Sequence, residues 1–231
     1  PADKRGEYDF AIMELALRKT VPEYGPYDLQ KTPPGENFKR ALQNARKGIY
    51  KNFFIRALAT RGLGDGMEVV PFPVERGILG YRVAFIAGPR QQELSEVDNL
   101  RELTKYSVVQ GIGWIDSKIL NESGFTIRTG PSFDSMFSMI TENRVDLFLR
   151  GVNEVLNEWN SYNHKSGLSI EKTFAIHYPF PRFFHTTKGN KQAAERVYKG
   201  LIMAYEDGSF LKVWKRYFED SIRFVKLADR R

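Results

Sequence analysis

The sequence predicts an α/β fold in two lobes. Three observations carry that expectation. Between about Ser95 and Tyr178, strand-like runs alternate with helix-period runs, the rhythm of βα units with mainly parallel strands. Two breaks, Gly88-Pro89-Arg90-Gln91-Gln92 and Pro179-Phe180-Pro181, bracket a central block of about 90 residues, a domain-sized piece. The chain has 231 residues, enough for two modest domains. The expected division puts residues 1–88 and 180–231 in a discontinuous first lobe and 89–179 in the second. The chain then crosses between lobes at two hinge crossovers, an arrangement suited to closing on a ligand.

The elements follow in order. Tyr8 to Thr20 carries Tyr8, Ile12, Leu15 and Ala16 at helical spacing. Val21 to Pro34 holds four prolines and reads as irregular. Asn37 to Gly48 is a helix with Phe38, Leu42 and Ala45 on one side, stopped by Gly48. Phe53 to Leu58 is a strand, Gly62-Leu63-Gly64-Asp65-Gly66 a turn, and Met67 to Phe72 extended. Tyr81 to Ala87 is a strand, and Gly88 to Gln92 a linker. In the central block, helices are expected over Ser95–Leu103, Asp116–Glu122 (with Asp116 as N-cap), Ser132–Glu142 and Val152–Trp159. Strands are expected over Tyr106–Gln110, Gly124–Thr129, Val145–Leu149 and Thr173–Tyr178. Phe183 to Thr186 is extended. Helices over Lys191–Tyr205 and Phe210–Phe218 close the sequence.

Composition excludes several kinds of chemistry. The absence of Cys removes thiolate zinc sites, thiol catalysis and disulfide scaffolds. His164, His177 and His185 have no metal-ligand spacing, so no metal and no cofactor are expected. They read as one hydrogen-bonded core histidine and two surface ones. No GxSxG elbow and no Walker loop is present. The 35 Lys+Arg against 28 Asp+Glu give 35 − 28 = +7. These cations are dispersed and lack a nucleic-acid-binding signature, so nucleic acid is not an expected partner. No apolar run is long enough to span a membrane. The start, Pro1-Ala2-Asp3-Lys4-Arg5, reads as a mature chain whose leader has been removed.

Two stretches point to a binding site. In Val108-Val109-Gln110-Gly111-Ile112-Gly113-Trp114-Ile115-Asp116 a strand ends in a glycine turn before a helix. Gly111, Gly113 and Trp114 form that turn, and the free N–H groups of the helix start favour an anion. The alternative is a tight βα turn with a buried Trp. A dinucleotide site is not expected, because the third glycine of that fingerprint is missing. The second stretch is Arg144-Val145-Asp146-Leu147-Phe148-Leu149-Arg150-Gly151. It puts Arg150 at the carboxyl end of a hydrophobic strand, where open α/β sheets meet ligands. Arg150 is suited to clamp a carboxylate or phosphate; a salt bridge to Glu154 is the alternative. Arg76, Tyr81 and Arg61 complete the candidate set.

Four stretches in order resemble the extracytoplasmic solute-binding proteins of the family-3 type, the amino-acid-binding components of bacterial ABC importers. They are Val70-Pro71-Phe72-Pro73-Val74-Glu75-Arg76-Gly77-Ile78-Leu79-Gly80-Tyr81-Arg82, Val109-Gln110-Gly111-Ile112-Gly113-Trp114, Asn143-Arg144-Val145-Asp146-Leu147-Phe148 and Ala204-Tyr205-Glu206-Asp207-Gly208-Ser209-Phe210. The likeness covers about Tyr8 to Phe218. It implies a two-lobe type II periplasmic-binding-protein-like fold, a periplasmic location and a role without catalysis. It further implies a monomer whose partners are a small-molecule solute and an ABC permease in the inner membrane.

The chain departs from the family pattern in three places. It opens with a helix where the family opens with a strand. Thr60 is followed directly by Arg61, so the family's carboxylate-gripping Thr-x-x-Arg is not matched. Arg150-Gly151 stand near where the family places an Asp for the ligand amine. Replacing that anion by a cation implies an anionic or neutral polar solute. A ligand-sensing domain of the same fold is the alternative output. An enzyme is a weaker one, because Glu75, Glu154 and the histidines show no catalytic pairing.

Overall fold

A computed structural model describes residues 4–32, 38–50, 52–58 and 67–231. In chain order the helices are α1 (Lys4–Lys19), α2 (Val21–Tyr24), α3 (Phe38–Arg46), α4 (Gln91–Ser95), α5 (Leu100–Leu103), α6 (Ile115–Glu122), α7 (Phe133–Thr141), α8 (Val152–Tyr162), α9 (Lys191–Glu206) and α10 (Ser209–Phe224). The strands are β1 (Phe54–Leu58), β2 (Met67–Val69), β3 (Tyr81–Ala87), β4 (Val108–Gly111), β5 (Ile127–Gly130), β6 (Leu147–Gly151), β7 (Leu168–Ile170), β8 (Ile176–His177) and β9 (Arg182–Thr187). The described residues form two units, 1–77 with 180–219 and 78–179 with 220–231.

The first unit is built on an antiparallel sheet of order β1-β9-β2. The aromatic and β-branched run Arg182–Thr187 makes β9 its central strand. The Tyr8, Ile12, Leu15 and Ala16 stripe of α1 is buried as its spacing requires, and α1 packs along α9. That approach is close enough for Gly200 of α9 to sit on the backbone of Ala16. On α3, Ala41 and Ala45 are buried with Phe53. The side chains of Phe38 and Leu42 lie outside the described residues, as does the expected turn at 62–66.

The second unit holds a six-stranded mixed sheet. Its order is β5-β4-β6-β3-β7, with β8 paired to β3. β4 runs parallel to β5 and β6, whereas β3 is antiparallel to β6, β7 and β8. The expected mainly parallel character therefore holds for three strands and fails at β3. Here β3 enters from the opposite end, and its six buried residues, Arg82–Ala87, make it a core strand. α7 covers the sheet with Met136, Phe137 and Ile140, held at its start by the Ser132 hydroxyl accepting from Ser135 N–H.

Several expected boundaries differ. Gly88–Gln92 is a 3-10 turn leading into α4 inside the second unit, and the contact boundary falls at 77/78 instead. The expected Ser95–Leu103 helix is two short helices broken at 96–99, with Asn99 capping the second. Thr173–Tyr178 shrinks to β8, because Glu171 folds its successors into a loop. The fully buried carboxylate accepts from Thr173 N–H at 2.7 Å, from the Thr173 hydroxyl, and from Phe174 N–H at 3.0 Å. α10 runs six residues past its expected end, and residues 220–231 cluster with the second unit. Ser221 donates to Val152 O, and Arg230 pairs with Glu171 at 3.2 Å.

Candidate functional site

β4, β5 and β6 end on the same edge of the second unit's sheet, at Gly111, Gly130 and Gly151. β3 begins there, with Arg82 opposite Gly151. This edge collects a buried charge cluster from four segments. Arg82, 2% exposed, reaches Asp116 Oδ1 through Nη2 at 2.8 Å and Glu154 Oε2 through Nη1 at 3.9 Å. The Tyr178 hydroxyl donates to the same Asp116 oxygen at 2.5 Å, and its ring lies 5.2 Å from the Arg82 guanidinium. Arg150, 4% exposed, donates from Nε to both Glu158 oxygens at 2.9 Å. Its Nη2 donates to Glu158 Oε1 at 2.5 Å and pairs with Glu154 Oε2 at 3.0 Å.

Glu154 and Glu158 are one turn apart on α8, so one helix face presents both to the strand end. Burial pulls the Arg150 guanidinium down, but Glu154 and Glu158 outweigh it and hold the group above its ordinary value. Burial pushes the Tyr178 phenol well up; Arg82 opposes this and Asp116 adds to it. Arg150 and Tyr178 thus keep their protons. Two guanidinium groups, Arg82 and Arg150, thus meet three carboxylates, Asp116, Glu154 and Glu158, on this edge.

Gly113 takes the left-handed conformation, φ +78°, that turns the chain from β4 into α6. Trp114 then folds back over the strand end. A Cβ on Gly111 would stand 2.2 Å from Trp114 Cε2, so the indole takes the space any larger residue would need. The turn is a tight βα turn packed by a half-buried Trp114, and the helix it leads into starts at Ile115. Ile112 stands 66% exposed on the same edge. Asp116 does not cap α6 as expected. Trp114 holds the N-cap position, and the Asp116 side chain is committed to Arg82 and Tyr178.

Gly111, Gly113, Trp114, Arg150 and Tyr81 therefore share one edge of the second unit. Tyr81 is exposed and packs against His177, ring centroids 4.4 Å apart. Arg150, expected as an anion clamp, has its Nε and Nη2 engaged by Glu158 and Glu154. Arg76 belongs to the first unit. It has φ +54° and lies 5.1 Å from the Trp214 ring, whose Nε1 donates to Glu75 O. Beside it, buried Glu75 pairs with Arg56 at 2.6 Å. Arg61 lies outside the described residues. His185 is the buried, hydrogen-bonded histidine, and His164 and His177 are exposed. Among the described residues there is no group of His, Asp and Glu arranged to hold a metal, and no helix long and apolar enough to cross a membrane.

No family model matches the sequence, and no curated protein does either. Solved structures do match. An amino-acid ABC transporter extracellular-binding protein from Bacillus subtilis superimposes with a TM-score of 0.69 at 11% identity, over 92% of this chain and 88% of its own. The second substrate-binding domain of an amino-acid ABC transporter from Streptococcus pneumoniae gives 0.62 at 16% identity, over 91% and 89%. An ancestral arginine-binding protein bound to arginine gives 0.60 at 16% identity, over 91% and 87%. The fold is the type II periplasmic-binding-protein fold. Two of these three structures are substrate-binding parts of amino-acid ABC transporters, and the third is an arginine-binding protein.

Of the departures seen in the sequence, the one at Thr60-Arg61 lies outside the described residues. The first described element is a helix, α1. Sequence reasoning missed Arg82 and Glu158. Glu158 had a readable signal, its four-residue spacing from Glu154 on a helix that follows Arg150. Arg82 had none, since it meets Asp116, on a helix 34 positions away, by a side-chain contact that local spacing does not show.

Proposed function

We propose that the chain is a periplasmic solute-binding protein without catalysis that serves an ABC-type importer. We further propose that it captures a small amino-acid-like solute with an uncharged side chain by closure of its lobes. The supporting observation is the second-unit sheet edge. There a helix start suited to a carboxylate adjoins a buried cluster in which Asp116, Glu154 and Glu158 place carboxylates at the strand ends, groups of the kind an ammonium requires. An anionic solute loses its support, because it relied on an open Arg150. Likeness of fold to substrate-binding proteins supports both the binding role and a permease partner.

A basic amino acid is the second reading. Neighbours bound to arginine and to lysine favour it. Native mass spectrometry of the freshly purified chain, followed by a thermal-shift screen of amino acids, sugars and small acids, tests both. A solute at 100 times its Kd should stabilise the protein by about 2.7 kcal/mol. Retention of, or a shift with, a neutral amino acid supports the first reading, and lysine or arginine the second. No shift with any class counts against solute binding.

A further inference from the structure

Arg150 is caged as well as ion-paired. Its guanidinium carbon lies 4.7 Å from the Trp114 ring centroid and 5.3 Å from those of Phe133 and Phe148. The rings pack on one another, with Trp114 to Phe133 at 5.7 Å and Trp114 to Phe148 at 6.4 Å. Glu158 meets the guanidinium through both oxygens, and Glu154 through one. Aromatic faces with carboxylates in the guanidinium plane are the means by which proteins take such a cation from solution. Here the cation comes from the chain's own β6.

We propose that Trp114, Phe133, Phe148, Glu154 and Glu158 form a guanidinium site that Arg150 itself fills, making Arg150 a specificity-determining residue. While Arg150 is in place, a basic group of a solute is excluded from this position by volume and by like charge. Shortening residue 150 removes the guanidinium that Glu158 and Glu154 meet from between its three aromatic rings, which favours recruitment of a replacement. The altered site then accepts small guanidinium compounds. The consequence for solute choice rests on the solute-binding reading; the existence of the site does not.

Arg150→Ala is compared with wild type, with Arg150→Lys and with the double variant Arg150→Ala/Glu158→Gln. Thermal unfolding is followed against methylguanidinium chloride, with sodium chloride at equal ionic strength as the control. A cation of this size in a matched site should bind in the range of about 1–10 mM. The Tm of Arg150→Ala should therefore rise saturably over that range. Wild type and Arg150→Lys should show no such rise, and the double variant a weakened one. If Arg150→Ala is recovered unfolded, refolding it from urea with and without methylguanidinium carries the same test. Recovery that depends on the cation supports the proposal. A response of Arg150→Ala no larger than that of wild type, or no recovery with the cation present, overturns it.

Discussion

Gly111→Ala probes the strand end on which the site is built. Gly111 is buried and has an ordinary strand conformation, so the backbone accepts alanine and the cost is steric. The added Cβ would stand 2.2, 2.5 and 2.6 Å from Trp114 Cε2, Nε1 and Cδ2. The indole must move. Overpacking of this kind costs about 1–3 kcal/mol. Displacing Trp114 from Arg150 forfeits a desolvated cation–π contact, about 1–2 kcal/mol more. The expected total is about 2–5 kcal/mol. In a Trp114→Ala background the obstacle is gone, and Gly111→Ala should then cost little. Urea unfolding followed by far-UV circular dichroism on all four proteins closes the double-mutant cycle. A cost of Gly111→Ala that is the same in both backgrounds would refute the reasoning.

Three further outcomes are expected. Gly200→Ala would place a Cβ 2.1 Å from the Ala16 carbonyl oxygen, a backbone atom that cannot rotate away. It should lower stability by about 1–3 kcal/mol despite alanine's better helix propensity, read as a lower urea midpoint. Tyr178→Phe removes the hydroxyl that donates to the Asp116 carboxylate and should cost about 1.5–3 kcal/mol, whereas Tyr81→Phe, on an exposed ring, should change the midpoint little. Burial lowers the His185 pKa below 6.5, opposed by its bond to Phe183 O. Below pH 6.5 the unfolded chain therefore takes up a proton that the folded chain resists. Stability should be full above that pH and fall as the pH drops from 6.5 through the folded value, and His185→Phe should flatten that part of the profile.

Periodicity made the helices legible where one face alone is buried: the α1 stripe, the α7 run and the start of α8 all pack as their spacing requires. It failed where pairing or side-chain chemistry decides. β3 reads like any buried strand, and its antiparallel direction is set by partners up to about 90 positions away, for which local spacing holds no information. The loop at 173–175 is imposed by the Glu171 carboxylate, not by turn residues. At the site, strand-end position and the glycine turn brought Gly111, Trp114 and Arg150 to one edge. Their environment was not legible. An arginine at a strand end reads as open to ligand until Glu158, two turns into the next helix, is seen to meet it. Asp116 reads as a cap until Arg82 arrives from β3.

The central claim is that this sheet edge receives the solute, and Trp114 can report it. With Trp159→Phe and Trp214→Phe in place, Trp114 is the sole indole of the sequence. Titration with a panel of amino acids, followed by fluorescence and by calorimetry on the same samples, is the direct measurement. The account predicts a saturable change in Trp114 emission whose midpoint matches the calorimetric Kd. Saturable heat with unchanged Trp114 emission, or no binding by any member of the panel, would contradict it.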